Sequence, residues 1–411
     1  MRAFFCPFVP NMPTQKKFYF GAATSAHQVE GNNVNSDWWK FEQEVQAKKG
    51  FMSGKATNHY ELFDHDFALA EKLGHDAHRF SIEWAKVEPT EGKFDQKVLD
   101  HYKEVFKSLK KHGLKPFVTL WHFTLPLWFA EKGGFEKREN IFYYVRFCKK
   151  IAEIFRNEME FVMTINEPEV YLYYSYLGGK WPPQKKSFFA FIKVYKNLIR
   201  AHRQVYTALK ATNSDFKIGV AKNNPSFSPS RHKNIFDHFL VWVLKYVWNH
   251  LFLDNIRNYQ DFIGLNYYFR RSMRFTRKMA KLFFIHPSNT AERTDMGWEV
   301  NPQGIAGNLK DLWKRYHKPL IVTENGVADR ADRIRPQYLV DVLEHVFNAK
   351  KTGVDVFGYI HWSLTDNFEW ADGFDPCFGL IAINYENFVR TPRPSAYKYQ
   401  ELIEMYRKTL T

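Results

Sequence analysis

Two glutamates stand where apolar, strand-like segments of the chain end. Glu324 follows the β-branched run 321–323. Glu167 follows the apolar run 161–165 after one residue, Asn166, and Pro168 ends this segment. A carboxylate at the end of a buried strand is costly unless it has a partner or a task. Cleavage of a glycosidic bond needs two carboxyl groups, about 5–5.5 Å apart for retention and about 6.5–9.5 Å apart for inversion. The pair therefore predicts glycosidic-bond chemistry, and the sequence leaves the separation open.

Strand-like and helix-like segments alternate along the whole chain, which would bring these glutamates together. The segments predicted as strands are 18–23, 75–82, 115–120, 160–165, 217–221, 261–267, 319–323 and 354–362. Amphipathic segments such as 97–112 separate them, and alternation of this kind predicts parallel strands with crossover helices. Eight units predict an α/β fold, a single (β/α)8 TIM barrel with its active site at the C-terminal ends of the strands. We expect an N-terminal extension at 1–17 and one barrel domain at 18–411.

A doubly wound open sheet is the competing fold for this pattern. That fold usually has a Gly-rich phosphate turn after its first strand. Gly21-Ala22-Ala23 is not such a turn, which favours the barrel.

Further polar and aromatic residues fall at or near the predicted strand ends, where a barrel places its catalytic groups. They are Gln28, Glu30, Arg79, Glu83, His122, Asn166, Asn223, Asn224, Asn266, Tyr268 and Trp362. Arg79 could hold one glutamate ionised through a charge-assisted hydrogen bond, and Tyr268 could donate to the same carboxylate.

The chain is basic, with 59 Lys and Arg against 44 Asp and Glu and a net charge of +15. The basic residues are mostly dispersed and no recognition motif accompanies them, so we predict no nucleic-acid partner. The exception is the basic segment 270–281, which contains Arg270, Arg271, Arg274, Arg277, Lys278 and Lys281. It follows the sixth predicted strand. We expect it to flank the site and to favour anionic leaving groups.

The cysteines and the hydropathy limit the cellular location and the ligands that we expect. Cys6, Cys148 and Cys377 form no disulfide framework or metal motif, which suits a reducing compartment and predicts a cytoplasmic protein. No run approaches the roughly 18 apolar residues of a membrane span, and the first ten residues lack a signal-peptide cleavage pattern. His59, His65 and Asp66 match no zinc spacing. We predict no metal and no cofactor, because two carboxylates suffice for the chemistry.

Seven segments together resemble glycoside hydrolase family 1. They are 20–31, 79–84, 120–123, 164–168, 261–268, 321–326 and 362–370, in the family's order over nearly the whole chain. The resemblance implies a retaining β-glycosidase in which Glu167 is the acid/base, Glu324 the nucleophile and Asn166 the partner of the sugar 2-hydroxyl.

The same resemblance implies the rest of the site. Gln28, His122, Glu369 and Trp370 match residues that hold the other sugar hydroxyls, and Trp362 matches the platform beneath the ring. We expect support for the nucleophile from Arg79, Tyr268 and Asn266, with Glu169 and Trp298 on the aglycone side. Many family members carry Trp where this chain has Glu169, and a carboxylate there could raise the pKa of Glu167 by like-charge repulsion.

The substrate class is narrowed by residues 367–370. They match the family members that bind unphosphorylated sugars, and they lack the Ser and Lys residues with which the family's 6-phospho-sugar enzymes bind phosphate. The resemblance therefore implies unphosphorylated β-glycosides or short oligosaccharides as substrates. The sequence does not distinguish between glucoside, galactoside and fucoside as substrates. It also leaves the oligomeric state open. The region between strands five and six is shorter than in typical members. Transglycosylation through the same intermediate, or a sugar-binding barrel with weakened catalysis, remain alternatives.

Overall fold

Eight parallel strands close into a barrel. The computed structural model describes residues 17–276 and 292–410. We number the barrel strands Tyr19–Ala23 (β1), Ala77–Ser81 (β2), Lys115–Thr119 (β3), Phe161–Asn166 (β4), Lys217–Asn223 (β5), Ile263–Tyr267 (β6), Leu320–Asn325 (β7) and Val356–Trp362 (β8). They pair in sequence order, and β1 closes the barrel by pairing with both β8 and β2. The predicted (β/α)8 architecture is confirmed.

Eight long helices surround the barrel. They are His59–Lys72, Gln96–Lys111, Ile141–Ile154, Phe188–Thr212, Ile235–Lys245, Gly304–Tyr316, Arg335–Lys351 and Pro394–Leu410. Local chemistry fixes their ends. The helix Gln96–Lys111, for example, begins where the Asp95 carboxylate accepts hydrogen bonds from the N–H groups of Lys97 and Val98.

Shorter elements occupy the connections. Short α-helices are Ala26–Val29, Asp37–Phe41, Trp84–Val87, Leu127–Glu131, Pro168–Leu172 and Leu251–Asn255. Within residues 17–276 and 292–410, the π turns are Glu42–Gln46, Tyr173–Leu177 and Tyr246–His250, and the 3-10 turns are Ala47–Lys49, Gly134–Glu136, Arg138–Asn140 and Trp370–Asp372. Two small sheets pair Ser226–Pro229 with Arg270–Met273 and Ile381–Ile383 with Arg390–Pro392.

Element boundaries differ from the predicted ones for local reasons. The predicted strand 261–267 begins only at Ile263, because the Asp261 carboxylate accepts from the backbone N–H of Ile218 and the hydroxyl of Tyr206. The predicted helix 235–251 ends at Lys245, where the π turn Tyr246–His250 takes over.

The barrel interior is packed with side chains from the strands themselves. They include Ala77, Phe117, Met163, Ile321 and Ile360, all fully buried. Strands β1 and β2 approach so closely that a Cβ on Gly21 would lie 2.0 Å from the carbonyl oxygen of Ala77. This filled interior leaves the C-terminal ends of the strands as the floor of the cleft described below.

The division into an extension at 1–17 and a barrel domain stays a prediction, since residues 1–16 lie outside the described part of the chain. Among the described helices, none combines the length and the apolar character that crossing a membrane requires.

Candidate active site

A cleft of about 310 Å³ opens where the barrel strands end. The predicted site residues that line it are Gln28, His122, Asn166, Glu167, Tyr268, Trp298, Glu324, Trp362, Glu369 and Trp370. Another cavity, of about 360 Å³, is lined by Asp37, Glu44 and Lys185 among others and contains none of the predicted site residues. The structure thus gathers residues from across the sequence into one place.

Glu324 lies on β7 and is held by two donors. Arg79, on β2, forms an ion pair with Oε1, and the hydroxyl of Tyr268 donates to Oε2 at 2.5 Å. All three side chains are buried. Because a guanidinium and a phenol both donate to this carboxylate, its surroundings suit a negative charge.

Glu167 follows β4 directly, and the side chains that donate hydrogen bonds to it are neutral amides. Its backbone is left-handed, with φ 41°, and the helix Pro168–Leu172 begins at the next residue. Oε1 accepts from the side-chain amides of Asn266 at 2.8 Å and Asn223 at 3.0 Å. Burial and the negative charge of Glu324 raise the pKa of Glu167 to about 8. Glu167 therefore retains its proton at neutral pH.

Asn166 connects the two glutamates. Its Oδ1 accepts from Nη2 of Arg79 at 2.7 Å and from Asn266 at 3.3 Å, and its amide lies 3.1 Å from Nε2 of His122. Burial, with the charge of Arg79 next in size, lowers the pKa of His122 well below its usual range. His122 is therefore a neutral hydrogen-bonding group at the edge of the cleft.

The structure corrects the expectation that Asn266 supports the nucleophile. Its amide donates to Glu167, and its oxygen accepts from the Thr323 hydroxyl at 2.6 Å. Asn266 lies on β6, next to β7, and its side chain is fully buried. Thr323 orients the amide, and this turns the donor N–H groups toward Glu167.

The expectation for Glu169 is also corrected, because its carboxylate does not line the cleft. It forms an ion pair with Nζ of Lys222 at 2.9 Å, and both side chains are buried. The left-handed backbone at Glu167 starts the helix Pro168–Leu172 in a new direction, which carries Glu169 toward β5. Its charge is compensated there, and the charge that raises the pKa of Glu167 is that of Glu324.

The predicted sugar-binding residues form a further part of the cleft wall. Gln28 is fixed by donating to Asn367 at 2.8 Å and to the carbonyl of Phe368 at 3.0 Å. Glu369 accepts from the indole N–H of Trp362 at 3.1 Å, and burial raises the pKa of Glu369 to about 8. This wall presents polar groups beside the flat ring of Trp362.

Several lining residues were not singled out from the sequence. They are Phe123, Val170, Tyr173, Tyr174, Lys180, Trp181, Trp248, Phe269, Met296, Ala371, Asp372 and Phe378. Seven of these twelve are aromatic, and for those the high aromatic content of the chain, 18%, is the signal in the sequence. Trp298, which the sequence predicted on the aglycone side, also lines the cleft, with its ring centroid 5.6 Å from that of Tyr268.

The arginines of the basic segment 270–281 lie in different surroundings. Arg270 forms an ion pair with Glu299, Arg271 lines the cleft and Arg274 is exposed. Arg277, Lys278 and Lys281 lie outside the described residues. Within the described ranges, no group of three or more His, Cys, Asp or Glu side chains is arranged to hold a metal ion.

Comparison with known proteins places the chain in a family. The family model of glycosyl hydrolase family 1 matches residues 11–252 and 250–408. The β-glucosidase A of Thermotoga maritima is 31% identical over 94% of this chain and 97% of its own length. The β-galactosidase of Saccharolobus solfataricus is 30% identical over 94% of each chain. The chain belongs to glycosyl hydrolase family 1.

Solved structures agree with this placement. The β-glycosidase from Pyrococcus horikoshii is 40% identical, with a TM-score of 0.88 and 95% of each chain covered. The β-glucosidase from Thermotoga maritima in complex with deoxynojirimycin is 30% identical, with a TM-score of 0.86 over 95% of this chain and 99% of that one. Fold, site and relatives define a glycoside hydrolase of the β-glycosidase type.

Proposed function

We propose that this protein is a retaining, exo-acting β-glycosidase that releases terminal, non-reducing β-linked sugars from small glycosides or short oligosaccharides. The observation that carries this proposal is the contrast between the two glutamates. Glu324 lies between a guanidinium and a phenol, whereas Glu167 is buried among neutral amides and keeps its proton. Double-displacement hydrolysis needs one ionised and one protonated carboxyl group.

The reaction would proceed in two steps. Glu324 attacks the anomeric carbon while Glu167 transfers its proton to the departing oxygen, which leaves a covalent glycosyl–enzyme ester. Glu167, now ionised, takes a proton from a water molecule. The oxygen of that water attacks the anomeric carbon, which breaks the ester bond to Glu324 and releases the sugar. Asn166 would bind the sugar 2-hydroxyl, a contact that strengthens in the transition state.

The lining of the cleft also suits several related sugars. Gln28, His122 and Glu369 offer hydrogen-bonding groups to the edge of a sugar ring, and Trp362 offers a flat surface to its C–H face. The carboxyl group of Glu369 can bridge neighbouring hydroxyls in either epimer at C4. We propose β-glucosides as substrates, with β-galactosides and β-fucosides also accepted.

The test is the initial rate on the p-nitrophenyl β-glycosides of glucose, galactose, fucose and glucose 6-phosphate, with Glu324→Gln as the control variant. Release from the three unphosphorylated sugars, abolished in the variant, supports the proposal. No release from any of them contradicts it and favours the sugar-binding barrel.

Transfer to an alcohol is a second candidate. A galactolipid galactosyltransferase of Arabidopsis thaliana is 30% identical over 84% of this chain and 58% of its own length. An alcohol that takes the place of water in the second step would give a new glycoside. Product analysis with added alcohol decides between the two, since a transferase would form the alkyl glycoside in preference to free sugar.

A cytoplasmic location also remains a proposal. Cys148 and Cys377 are both unpaired and buried, which fits a reducing compartment.

A further inference from the structure

Arg271 stands in the wall of the cleft among aromatic rings. It lies on the short strand Arg270–Met273, opposite Phe227 of the neighbouring strand. Its guanidinium carbon is 5.8 Å from the ring centroid of Trp248 and 5.1 Å from that of Phe269. These distances are typical of a cation over aromatic faces, so the flat guanidinium group is held in a defined place.

No carboxylate side chain neutralises Arg271. In the described part of the chain its side chain makes no hydrogen bond and no ion pair, and its Nε atom is buried without a partner. Neighbouring arginines are paired, Arg270 with Glu299 and Arg231 with Asp237. The undescribed residues contain no Asp or Glu, so they supply no acidic side chain either.

An unpaired, partly buried cation is unfavourable, because burial removes water that the charge would otherwise bind. Burial accordingly lowers the pKa of Arg271, although a guanidinium stays charged at any physiological pH. Of the carboxyl groups in the cleft wall, Glu324 is paired with Arg79, and burial raises the pKa values of Glu167, Glu369 and Asp372. Lys180 is a second cation there. The unsatisfied positive charge is thus concentrated at Arg271.

The position of Arg271 assigns it to the leaving group. Trp248 beneath it contacts Tyr173, in the turn that follows the helix after Glu167. Asn223, which donates to Glu167, lines the same cleft, and the charges of Arg271 and Glu167 both act on Tyr174. Glu167 protonates the departing oxygen, so the leaving group must occupy the side of the cleft that adjoins it.

We propose that Arg271 binds an anionic oxyacid group, such as a carboxylate or a sulfonate, carried by an aromatic leaving group. The guanidinium fork would bind two oxygens of the anion at once. The rings of Trp248, Phe269 and Trp298 would pack against the apolar part of the same leaving group. This inference rests on the proposed function and names the substrate class of its aglycone side.

The experiment compares kcat/KM for two matched substrates, 4-carboxyphenyl β-glucoside and the neutral 4-carbamoylphenyl β-glucoside. We expect the anionic-to-neutral ratio to fall about tenfold or more in Arg271→Gln, since a charge-assisted bond is lost. Arg271→Lys should restore part of the ratio. Arg274→Gln, an exposed cation on the same segment, should leave it unchanged. 4-Sulfophenyl β-glucoside, run alongside, ranks the two anions.

An equal ratio in wild type and Arg271→Gln, with neutral glucosides still hydrolysed, would overturn this inference and leave the proposed function intact. If no glucoside is hydrolysed, the proposed function fails, and calorimetry decides the binding question. In that assay, 4-hydroxybenzoate should bind more tightly than 4-hydroxybenzamide, and the difference should vanish in Arg271→Gln. No difference in wild type would overturn the inference.

Discussion

Asn266 donates a hydrogen bond to Oε1 of Glu167 at 2.8 Å. The same oxygen also accepts from Asn223, and an oxygen that accepts from two amides is a poor place for a proton. The proton of Glu167 therefore resides on Oε2, which makes no hydrogen bond within the described residues. Asn266 thus fixes which oxygen of Glu167 would donate the proton in the proposed reaction.

This relationship predicts the pH dependence of the enzyme. Glu167 must be protonated to act, so kcat/KM for an alkyl glucoside should fall as pH rises through about 8. The amide of Asn266 lowers that pKa by stabilising the anion. Asn266→Leu should move the alkaline limb to higher pH and reduce kcat. A pH–rate profile checks both, and a limb that stays in place would show that Asn266 does not act on Glu167.

Substrates with different leaving groups should separate the role of Glu167 from that of the rest of the site. In Glu167→Ala, hydrolysis of alkyl glucosides should fall by roughly 10²–10⁴-fold, because general acid catalysis is lost. A dinitrophenyl glucoside needs no proton and should lose far less in its glycosylation step. Single-turnover rates measure that step, and equal losses for both substrates would contradict the assignment.

Glu324→Gly should abolish turnover, with a loss of roughly 10⁴-fold or more, because the covalent step has no nucleophile. Azide or formate, bound in the vacated space, should restore cleavage of an activated β-glucoside. NMR would then identify an α-glucosyl azide, the inverted product. A β-azide would mean that another residue forms the covalent intermediate.

The raised pKa of Glu167 also predicts a cost in stability. In the unfolded chain this carboxyl group ionises near 4.5, and in the folded protein only near 8. Its contribution is fully present below the first value and is lost as pH rises toward the second, because only the unfolded state gains from ionisation. Glu167→Gln should therefore raise Tm at pH 9 and change it little at pH 4.

The gain from Glu167→Gln amounts to a few kcal/mol at most, since each pKa unit corresponds to about 1.4 kcal/mol. Thermal melts at the two pH values measure it. Glu104→Gln, an exposed substitution, serves as the control. An equal change in Tm at both pH values would argue against a buried, protonated Glu167.

The ion pair of Glu169 and Lys222 should behave as one unit. Lys222→Met leaves Glu169 buried without its cation, and breaking a buried pair in this way costs about 3–5 kcal/mol. Lys222→Met combined with Glu169→Leu should recover most of that loss, because no charge remains buried. Urea denaturation of the two single variants and the double variant gives the coupling free energy. Additive losses would contradict it.

The sequence predicted the barrel because buried parallel strands appear as short apolar runs. It also placed Glu167 and Glu324 in one cleft, because both glutamates end such runs. It failed where partners depend on side-chain direction. The partner of Asn266 depends on the Thr323 hydroxyl, and the direction of Glu169 depends on the left-handed backbone at Glu167. Trp248 lies in a π turn that interrupts a predicted helix, outside any periodic pattern.

The buried contact between Glu169 and Lys222 has a further consequence for how this sequence can change over time. Opposite charges at these two positions, or no charges at all, leave no uncompensated charge buried, whereas either charge alone lacks its partner and lowers stability. A substitution at one position is therefore unfavourable unless the residue at the other position changes as well. The two positions, 53 residues apart in the sequence, should therefore covary. Relatives of this chain should carry both charges or neither.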